Sequence, residues 1–183
     1  KIINIFRTEN DYGPAIKYIP PLEHFIKKEK NQKILIYDDD SFMPHDLIEQ
    51  FDRVSNQYPN YCFTSQSRRV QINEIETDKN KKKFVLTDVI AKEHIASSMY
   101  LKYIRKNYLE TSYETTPFIF TDIVFGYSGF LITPNMVNIQ KLSDFAQMPK
   151  AAFYVDDVTI SGNLLTNGTP IVVAHGLSVG TVS

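Results

Sequence analysis

The chain has 183 residues, of which 43% are hydrophobic and 13% aromatic, which is enough apolar material for one compact core. Its formal net charge of −1 provides no general attraction to nucleic acid or to an anionic membrane, so nucleic acid is not an expected partner. A single cysteine, Cys62, excludes a disulfide framework and favours a reducing compartment. No apolar stretch approaches the roughly 20 residues that span a bilayer, and we see no signal-peptide pattern. We therefore expect no transmembrane segment and a cytoplasmic location.

Apolar runs and helical periodicities alternate along the first part of the sequence. Pro14 suits the first turn of a helix, and Pro20-Pro21 should kink or restart that helix. A second helix is predicted after Pro44, with four apolar residues on one face: Leu47, Ile48, Phe51 and Val54. Strands are predicted at residues 1–8, 34–40, 61–64 and 70–72.

The second part of the sequence continues the alternation. Segment 73–83 is polar and ends in three lysines, which predicts a solvated loop or hairpin tip, with phosphate contact as the alternative. Further strands are expected at 84–90, 118–125 and 171–174, and helices at 91–108, after Pro134 and at 158–165. This order predicts a single α/β domain over residues 1–183, with a mixed, mainly parallel central sheet flanked by helices. Because an apolar strand begins at Lys1, we also expect truncation at the N-terminus.

Three consecutive carboxylates, Asp38, Asp39 and Asp40, follow the apolar run Ile34-Leu35-Ile36-Tyr37. Adjacent like charges repel one another unless a cation lies among them. Hard dications such as Mg²⁺ and Mn²⁺ prefer oxygen ligands, and open α/β sheets bind ligands beyond the carboxyl ends of strands. A strand that continues to residue 40 would point Asp38 and Asp40 to one side and Asp39 to the other. The segment predicts a metal and phosphate site, with an acidic turn as the alternative.

Two further carboxylates, Asp156 and Asp157, stand between an apolar entry and a predicted helix. One of them can cap the helix by accepting its unpaired N–H groups, which is the simpler interpretation of Asp157. The other would be available as a general base, provided that burial and neighbouring groups adjust its pKa.

Glycine is concentrated in the second part of the chain, where six of the seven glycines lie at or beyond Gly126. Gly126-Tyr127-Ser128-Gly129 follows a predicted buried strand. Glycine at such a position lets the backbone approach a ligand closely, and a plain turn is the alternative.

The segment Asp11-Tyr12-Gly13-Pro14 stands at a predicted junction between a strand and a helix. Together with Lys17 it places an acid, an aromatic ring and a cation at one point. Such junctions suit nucleotide binding, although a solvated Lys17 is the alternative interpretation.

Two other positions are candidates for contact with phosphate or metal. Arg68-Arg69 follows a predicted strand and offers guanidinium forks to a diphosphate, or else makes surface ion pairs. His175 lies near the end of the chain and is a candidate metal or phosphate ligand, with a structural role as the alternative.

Four of these segments, in this order, resemble the motifs of nucleotide-sugar-dependent glycosyltransferases with the GT-A fold. Asp38-Asp39-Asp40 is similar to the Asp-x-Asp motif of that family. Segment 11–18 resembles the donor-binding segment, and segment 126–131 resembles the glycine-containing segment that lines the donor sugar and the acceptor. Asp156-Asp157-Val158 with Ser161-Gly162 resembles the late acidic motif that supplies the catalytic base of inverting members. Family members usually have two strand–helix units before the donor segment, and here at most one strand precedes it.

The resemblance implies transfer of a sugar from a nucleoside diphosphate-sugar, with uridine as the base, to a hydroxyl group of a glycan or glycoprotein acceptor. It implies Mn²⁺ or Mg²⁺ as cofactor, with Asp38, Asp40 and His175 as ligands. The donor-binding residues would be Asp11, Tyr12, Gly13, Lys17, Asp38, Asp39, Arg68, Arg69, Gly126, Ser128 and Gly129. Asp156 or Asp157 would take the proton from the acceptor hydroxyl. The Lys-, Asn- and Ile-rich composition is also similar to that of virus-encoded domains such as those of chlorella viruses, for which the location would be the host cytoplasm.

Two other functions fit part of the pattern. Phosphatases of the haloacid dehalogenase type also place Asp-x-Asp after an apolar strand, and Thr64 or Ser65 would then follow the next strand. The segment Ser41-Phe42 departs from that family, which has a small residue followed by Thr or Val. A nucleotide-sugar-binding module without catalysis is the third alternative.

Overall fold

The computed structural model describes residues 7–75, 78–90, 118–144, 148, 154–174, 177 and 181–182. The helices are α1 (Ile19–Ile26), α2 (Leu47–Gln57), α3 (Ile139–Ser143) and α4 (Asp156–Thr166). The strands are β1 (Ile34–Ile36), β2 (Ser41–Phe42), β3 (Cys62–Thr64), β4 (Gln66–Ile75), β5 (Asp78–Ile90), β6 (Phe118–Thr121), β7 (Ile123–Val124), β8 (Phe130–Ile132), β9 (Ile171–Ala174) and β10 (Thr181–Val182). Short 3₁₀ helices occupy Gly13–Lys17, Gly126–Ser128 and Pro134–Met136.

The central sheet has five described strands in the order β1-β8-β3-β9-β6. Strands β3 and β9 are parallel, whereas the pairs β1–β8, β3–β8 and β6–β9 are antiparallel. The predicted α/β class is therefore confirmed. The described pairs form a mixed, mostly antiparallel sheet rather than the mainly parallel one that the alternation of elements predicted.

Helices cover both faces of this sheet, as expected. In β1 the side chains of Ile34 and Ile36 join one buried cluster, whereas Leu35 packs against another, because successive strand residues point to opposite faces. The first cluster contains buried residues of α1, α3 and α4. The second contains Leu47 and Phe51 of α2. Burial of these aliphatic and aromatic side chains, at about 25 cal/mol per Å² of apolar surface, is the main stabilising contribution to the fold.

A long two-stranded ribbon forms most of a separate sheet, whose described strands have the order β5-β4-β7. Strand β4 pairs with β5 in antiparallel register from Gln66 opposite Ile90 towards Ile75 opposite Asp78, and β7 pairs with the other side of β4. Residues 73–75 and 78–83 therefore lie in the paired strands of a hairpin, rather than in the loop that was one of the two predictions for this polar segment. The strands are longer than the short apolar runs 70–72 and 84–90 indicated, because backbone pairing continues through the polar residues.

The first acidic segment differs from the prediction. Strand β1 ends at Ile36, Asp39 and Asp40 form a turn, and Ser41–Phe42 pairs with β10. The predicted strand over 34–40 is wrong beyond Ile36. Strand alternation therefore does not relate Asp38 to Asp40.

Three other predictions concern a helix start, the buried face of α2 and the apolar run 118–125. Pro20-Pro21 lies in the first turn of α1, so the helix restarts there, as expected. On α2, Leu47 and Phe51 are buried, but Ile48 is 65% exposed, so it does not share the buried face. The apolar run 118–125 is two strands, because Asp122 interrupts it and accepts a hydrogen bond from the N–H of Val70 at 2.7 Å.

Several predictions fall outside the described residues. These are most of the first strand, the helix over 91–108 and the candidate ligand His175. Within the described part of the chain, none of the helices has the length and apolar character needed to cross a membrane.

Candidate functional site

Gly126 connects two of the acidic segments through its backbone. The N–H of Asp38, just beyond β1, donates to the carbonyl oxygen of Gly126 at 3.2 Å. The N–H of Gly126 donates to Oδ1 of Asp157, in the first turn of α4, at 3.1 Å. The two acidic motifs, which are more than a hundred residues apart in sequence, therefore meet at one glycine.

Lys17 joins the same cluster from the end of the first 3₁₀ helix. Its Nζ lies 2.6 Å from Oδ1 of Asp38 and 2.9 Å from Oδ2 of Asp156. The side chains of Lys17, Asp38 and Asp156 are 22%, 30% and 13% exposed, respectively. Oδ2 of Asp156 is buried and lacks a well-aligned hydrogen-bond partner among the described residues, so the ion pair with Lys17 compensates its charge. The interpretation of Lys17 as a solvated residue is wrong.

We call Lys17, Asp38, Gly126, Asp156 and Asp157 the acidic cluster. A Cβ atom at position 126 would lie 2.7 Å from both carboxylate oxygens of Asp38 and would overlap Nζ of Lys17, so any larger residue would displace these side chains. The glycine in this segment therefore allows a close approach of the backbone to charged side chains.

The electrostatics distinguish the members of the acidic cluster. Burial and the neighbouring charge of Asp156 raise the pKa of Asp157 to about 6, against the opposing effects of Lys17 and the Gly126 N–H. Burial by itself would lower the pKa of Lys17, but its contacts with Asp38 and Asp156 outweigh burial and raise it. At neutral pH, three carboxylates surround one ammonium group, so the cluster carries an excess of negative charge.

Tyr18 contacts the acidic cluster from the protein interior and was not among the predicted site residues. Its side chain is buried, and its hydroxyl donates to the backbone carbonyl of Asp156 at 3.2 Å. Burial, with the nearby charges of Asp156 and Asp157, raises the pKa of Tyr18, so the phenol stays protonated and can donate. The only sequence signal for this role was that Tyr18 directly follows Lys17.

The helix-capping interpretation of Asp157 is wrong. Helix α4 begins at Asp156, and its capping residue, Val155, provides no side-chain hydrogen bond. The carboxylate of Asp157 accepts instead from Gly126, a residue of another segment. Both acids nevertheless lie in the first turn of α4, where the helix dipole favours negative charge.

The first donor-segment candidates make local contacts. Asp11 is exposed, and its Oδ1 accepts from the N–H of Gly13 at 2.9 Å, which closes a turn. Tyr12 is buried in the core, and its hydroxyl donates to Glu23 at 3.4 Å. Gly13 has a φ of 53°, a left-handed conformation that favours glycine. Among the four predicted donor-binding residues of this segment, Lys17 is the one whose described contacts reach the acidic cluster.

Ser128 and Gly129, of the glycine segment, have structural contacts. Ser128 is buried, and its Oγ donates to the carbonyl oxygen of Phe125 at 3.1 Å. Gly129 has a φ of +82°, and a Cβ atom there would lie 2.8 Å from the ring of Tyr37. Both residues shape the turn that presents Gly126.

Arg68 and Arg69 lie within β4 rather than after a strand, so neighbouring side chains point to opposite sides of the ribbon. The guanidinium of Arg68 lies 5.1 Å from the ring centroid of Phe125, which in turn stacks on Tyr127 at 5.1 Å. Nη2 of Arg69 donates to the carbonyl oxygen of Phe120 at 2.8 Å. These contacts do not bring the two arginines together as a fork for one diphosphate.

The structure provides some of the oxygen ligands that the predicted metal site would need. Among the described residues, no group of three or more acidic, histidine or cysteine side chains is close enough to hold a metal ion. Asp38 and Asp156 nevertheless converge on one cationic nitrogen, and Asp39 and Asp40 are exposed nearby in sequence. Magnesium sites often use one or two carboxylates and complete their coordination with substrate phosphates and water. The chemistry of this donor set fits such an ion.

The residues that a phosphatase of the haloacid dehalogenase type would need have structural hydrogen bonds. Thr64 Oγ1 donates to backbone carbonyl oxygens of Gln66 and Gly129, at 2.7 and 3.0 Å. Ser65 Oγ donates to the carbonyl oxygen of Ser128 at 2.6 Å. Both side chains are fully buried, so neither is available to a phosphate.

No family model matches this sequence, and no curated protein matches it at a significant level. The functional assignment therefore depends on the residues of the chain and on their arrangement.

Proposed function

We propose that this chain is a glycosyltransferase domain of the GT-A type. It transfers a sugar from a nucleoside diphosphate-sugar, with uridine as the base, to an acceptor hydroxyl, with inversion at the anomeric carbon. The observation that carries the proposal is the convergence of three motifs on Gly126: Lys17 of the donor segment, Asp38 of the Asp-x-Asp segment and the late acids Asp156-Asp157. Residues with donor-, metal- and acceptor-directed roles must meet at one point in such an enzyme.

Asp38, Asp40 and Lys17 provide the charges that a diphosphate requires. Asp38 and Asp40 would hold Mn²⁺ or Mg²⁺, and the predicted ligand His175 would complete the set. An ion held there would neutralise charge that develops on the leaving diphosphate. Lys17 contributes a second cation from the donor segment, on a flexible stem that can reach a phosphate oxygen.

Asp157 is the better candidate for the general base. The carboxylate of Asp156 is already engaged in an ion pair with Lys17, at 2.9 Å. Asp157 is held by one backbone N–H, and its pKa is raised to about 6 by burial and the charge of Asp156. A base whose pKa lies near the working pH is both ionised and basic enough to accept the proton of the attacking hydroxyl.

The phosphatase alternative is less consistent with the arrangement. Its phosphate-binding hydroxyl would come from Thr64 or Ser65, and both donate to backbone carbonyl groups inside the protein. The alternative also assigns no role to Gly126, at which the acidic segments meet. A binding module without catalysis remains the outcome to be expected if donor binds without turnover. The proposed acceptor is a glycan or glycoprotein, and the proposed location is the cytoplasm.

Calorimetry with a panel of nucleotide-sugars, with and without Mn²⁺, tests the proposal. We expect a UDP-sugar to bind in a Mn²⁺-dependent manner, and Asp38→Asn to lose that dependence. Asp52→Asn is the matched control, because Asp52 is an ion-paired but exposed carboxylate of α2. Asp157→Asn should retain binding and lose transfer to the acceptor. Absence of binding by every nucleotide-sugar would overturn the assignment.

A further inference from the structure

The ammonium group of Lys17 lies between Asp38 and Asp156 and forms an ion pair with each. Its Nζ contacts one oxygen of each carboxylate, at 2.6 and 2.9 Å. An ion that binds Asp38 must therefore displace this contact or share Asp38 with a second positive charge. Like charges at such short range repel strongly in a partly buried site.

We propose that Lys17 competes with the divalent cation for Asp38, and that the ammonium group moves to the donor diphosphate when the cation takes this carboxylate. The inference rests on the proposed function and adds a role for Lys17 that the motif alone does not assign. In the ligand-free protein, Lys17 holds the carboxylates together and prevents them from separating by mutual repulsion. In the donor complex, the same ammonium group neutralises phosphate charge.

The backbone explains why the lysine moves and the carboxylate stays. Asp38 is fixed by the hydrogen bond of its N–H to Gly126, and its short side chain has little freedom. Lys17 carries its charge at the end of four methylene groups and is partly exposed. Its second contact, with Asp156, keeps the ammonium group near the site after Asp38 is released.

A second lysine provides a matched control elsewhere on the surface. Lys33 Nζ lies 2.7 Å from Oδ1 of Asp52 and 2.7 Å from Oδ1 of Asn56. This lysine also bonds two side-chain oxygens, but its carboxylate partner is 58% exposed. Loss of Lys33 should therefore change the net charge of the protein without changing the acidic cluster.

The test is titration of the nucleotide-free chain with MnCl₂, followed by calorimetry and by the electron paramagnetic resonance signal of free Mn²⁺. We expect Lys17→Met to bind Mn²⁺ about tenfold more tightly than the wild type, since Asp38 loses a charge-assisted partner that the ion must otherwise displace. Lys33→Met should bind as the wild type does. The double variant Lys17→Met/Asp38→Asn should lose the gain.

Three results would overturn the inference. The first is equal Mn²⁺ affinity of Lys17→Met and wild type, and the second is an equal gain in Lys33→Met. In either case the proposed function survives if UDP-sugar binding still depends on Mn²⁺ and on Asp38. The third result is no binding of Mn²⁺ or of any nucleotide-sugar by any of these proteins, which would overturn the proposed function as well.

A measurement on the wild type keeps the inference testable if Lys17→Met does not fold. The ammonium resonances of ¹⁵N-labelled protein report on each lysine that is held in ion pairs. We expect the Lys17 resonance to shift on addition of MgCl₂ and to shift again when UDP is added, while the Lys33 resonance stays in place. A Lys17 resonance that does not change on saturation with Mg²⁺ and UDP would contradict the exchange.

Discussion

Two lysines of this chain make ion pairs of nearly equal length in different surroundings. Lys17 lies 2.6 Å from Asp38, and Lys33 lies 2.7 Å from Asp52. The Asp38 side chain is 30% exposed and has two more carboxylates near it, whereas Asp52 is 58% exposed on α2. The length of an ion pair therefore does not rank its importance. The two pairs differ in the number of carboxylates that are left without a counter-charge when the lysine is removed. This difference can be measured as a change in the free energy of unfolding.

The largest expected effect on stability comes from the lysine of the acidic cluster. We expect Lys17→Met to lower the free energy of unfolding by about 2 kcal/mol, because it leaves three partly buried carboxylates without a counter-charge. Lys33→Met should change it little, since exposed pairs contribute little. Urea denaturation of both variants at pH 7 measures the difference. Equal destabilisation would mean that the clustering of carboxylates has no energetic consequence.

The next largest expected effect is that of Asp157 on the pH dependence of stability. The ordinary pKa of an aspartate is 3.8, and the folded chain raises that of Asp157 to about 6. Between these values the folded state holds more protons at Asp157 than the unfolded state, so this residue makes stability fall as pH rises. We expect Asp157→Asn to remove about 1–2 kcal/mol of that fall.

Denaturation of the wild type and of Asp157→Asn at several pH values from 4 to 7 provides the measurement. The asparagine oxygen can still accept the hydrogen bond from the Gly126 N–H, so the comparison isolates the charge. Asp52 affects stability in the opposite direction. Lys33 lowers its pKa, so its contribution to stability is lost as pH falls. The difference between the two proteins, rather than either curve alone, is the decisive quantity. A constant difference across the range would contradict the raised pKa.

The sequence predicted the members of the acidic cluster better than their mutual geometry. The order of charged and glycine segments singled out Asp38, Gly126 and the late acids. Asp38 and Gly126 follow the apolar strands β1 and β7, whereas the described residues before the late acids, Tyr154 and Val155, are exposed. The geometry depended on β1 ending at Ile36 and on a backbone bond between Asp38 and Gly126, and neither has a pattern in the sequence. Lys17 was ambiguous for the same reason, since its carboxylate partners are distant along the chain.

Elsewhere the sequence could not predict which surface an element covers. The periodicity of α2 placed Ile48 with Leu47 and Phe51, but the sheet beneath covers only part of that stripe. The parallel arrangement was expected from the alternation of elements, whereas β8 runs antiparallel between β1 and β3. Alternation specifies the class of fold and leaves the direction of each strand to long-range packing.

Substitution of Gly126 should displace side chains of the acidic cluster and should lower stability by less than the loss of Lys17 does. A Cβ atom at this position overlaps side-chain atoms of Lys17 and Asp38, which can rotate away at modest cost. We expect Gly126→Ala to destabilise the fold by about 1 kcal/mol, within the range of overpacked positions. Displacement of the Lys17 ammonium resonance on substitution would confirm the close approach. An unchanged resonance would mean that the glycine is not required there.

A glycine on the exposed side of α4 provides a contrast with Gly126, because its substitution should raise stability rather than lower it. Gly162 lies within this helix, is exposed, and has no atom within 4 Å of the position of an added Cβ. Alanine loses less conformational entropy than glycine on helix formation, so Gly162→Ala should stabilise the fold by about 0.5–1 kcal/mol. Thermal denaturation of Gly162→Ala and Gly126→Ala side by side tests whether surroundings decide the sign. If both substitutions stabilise, the space at Gly126 is larger than the cluster geometry requires. If both destabilise, α4 does not depend on helix propensity at Gly162.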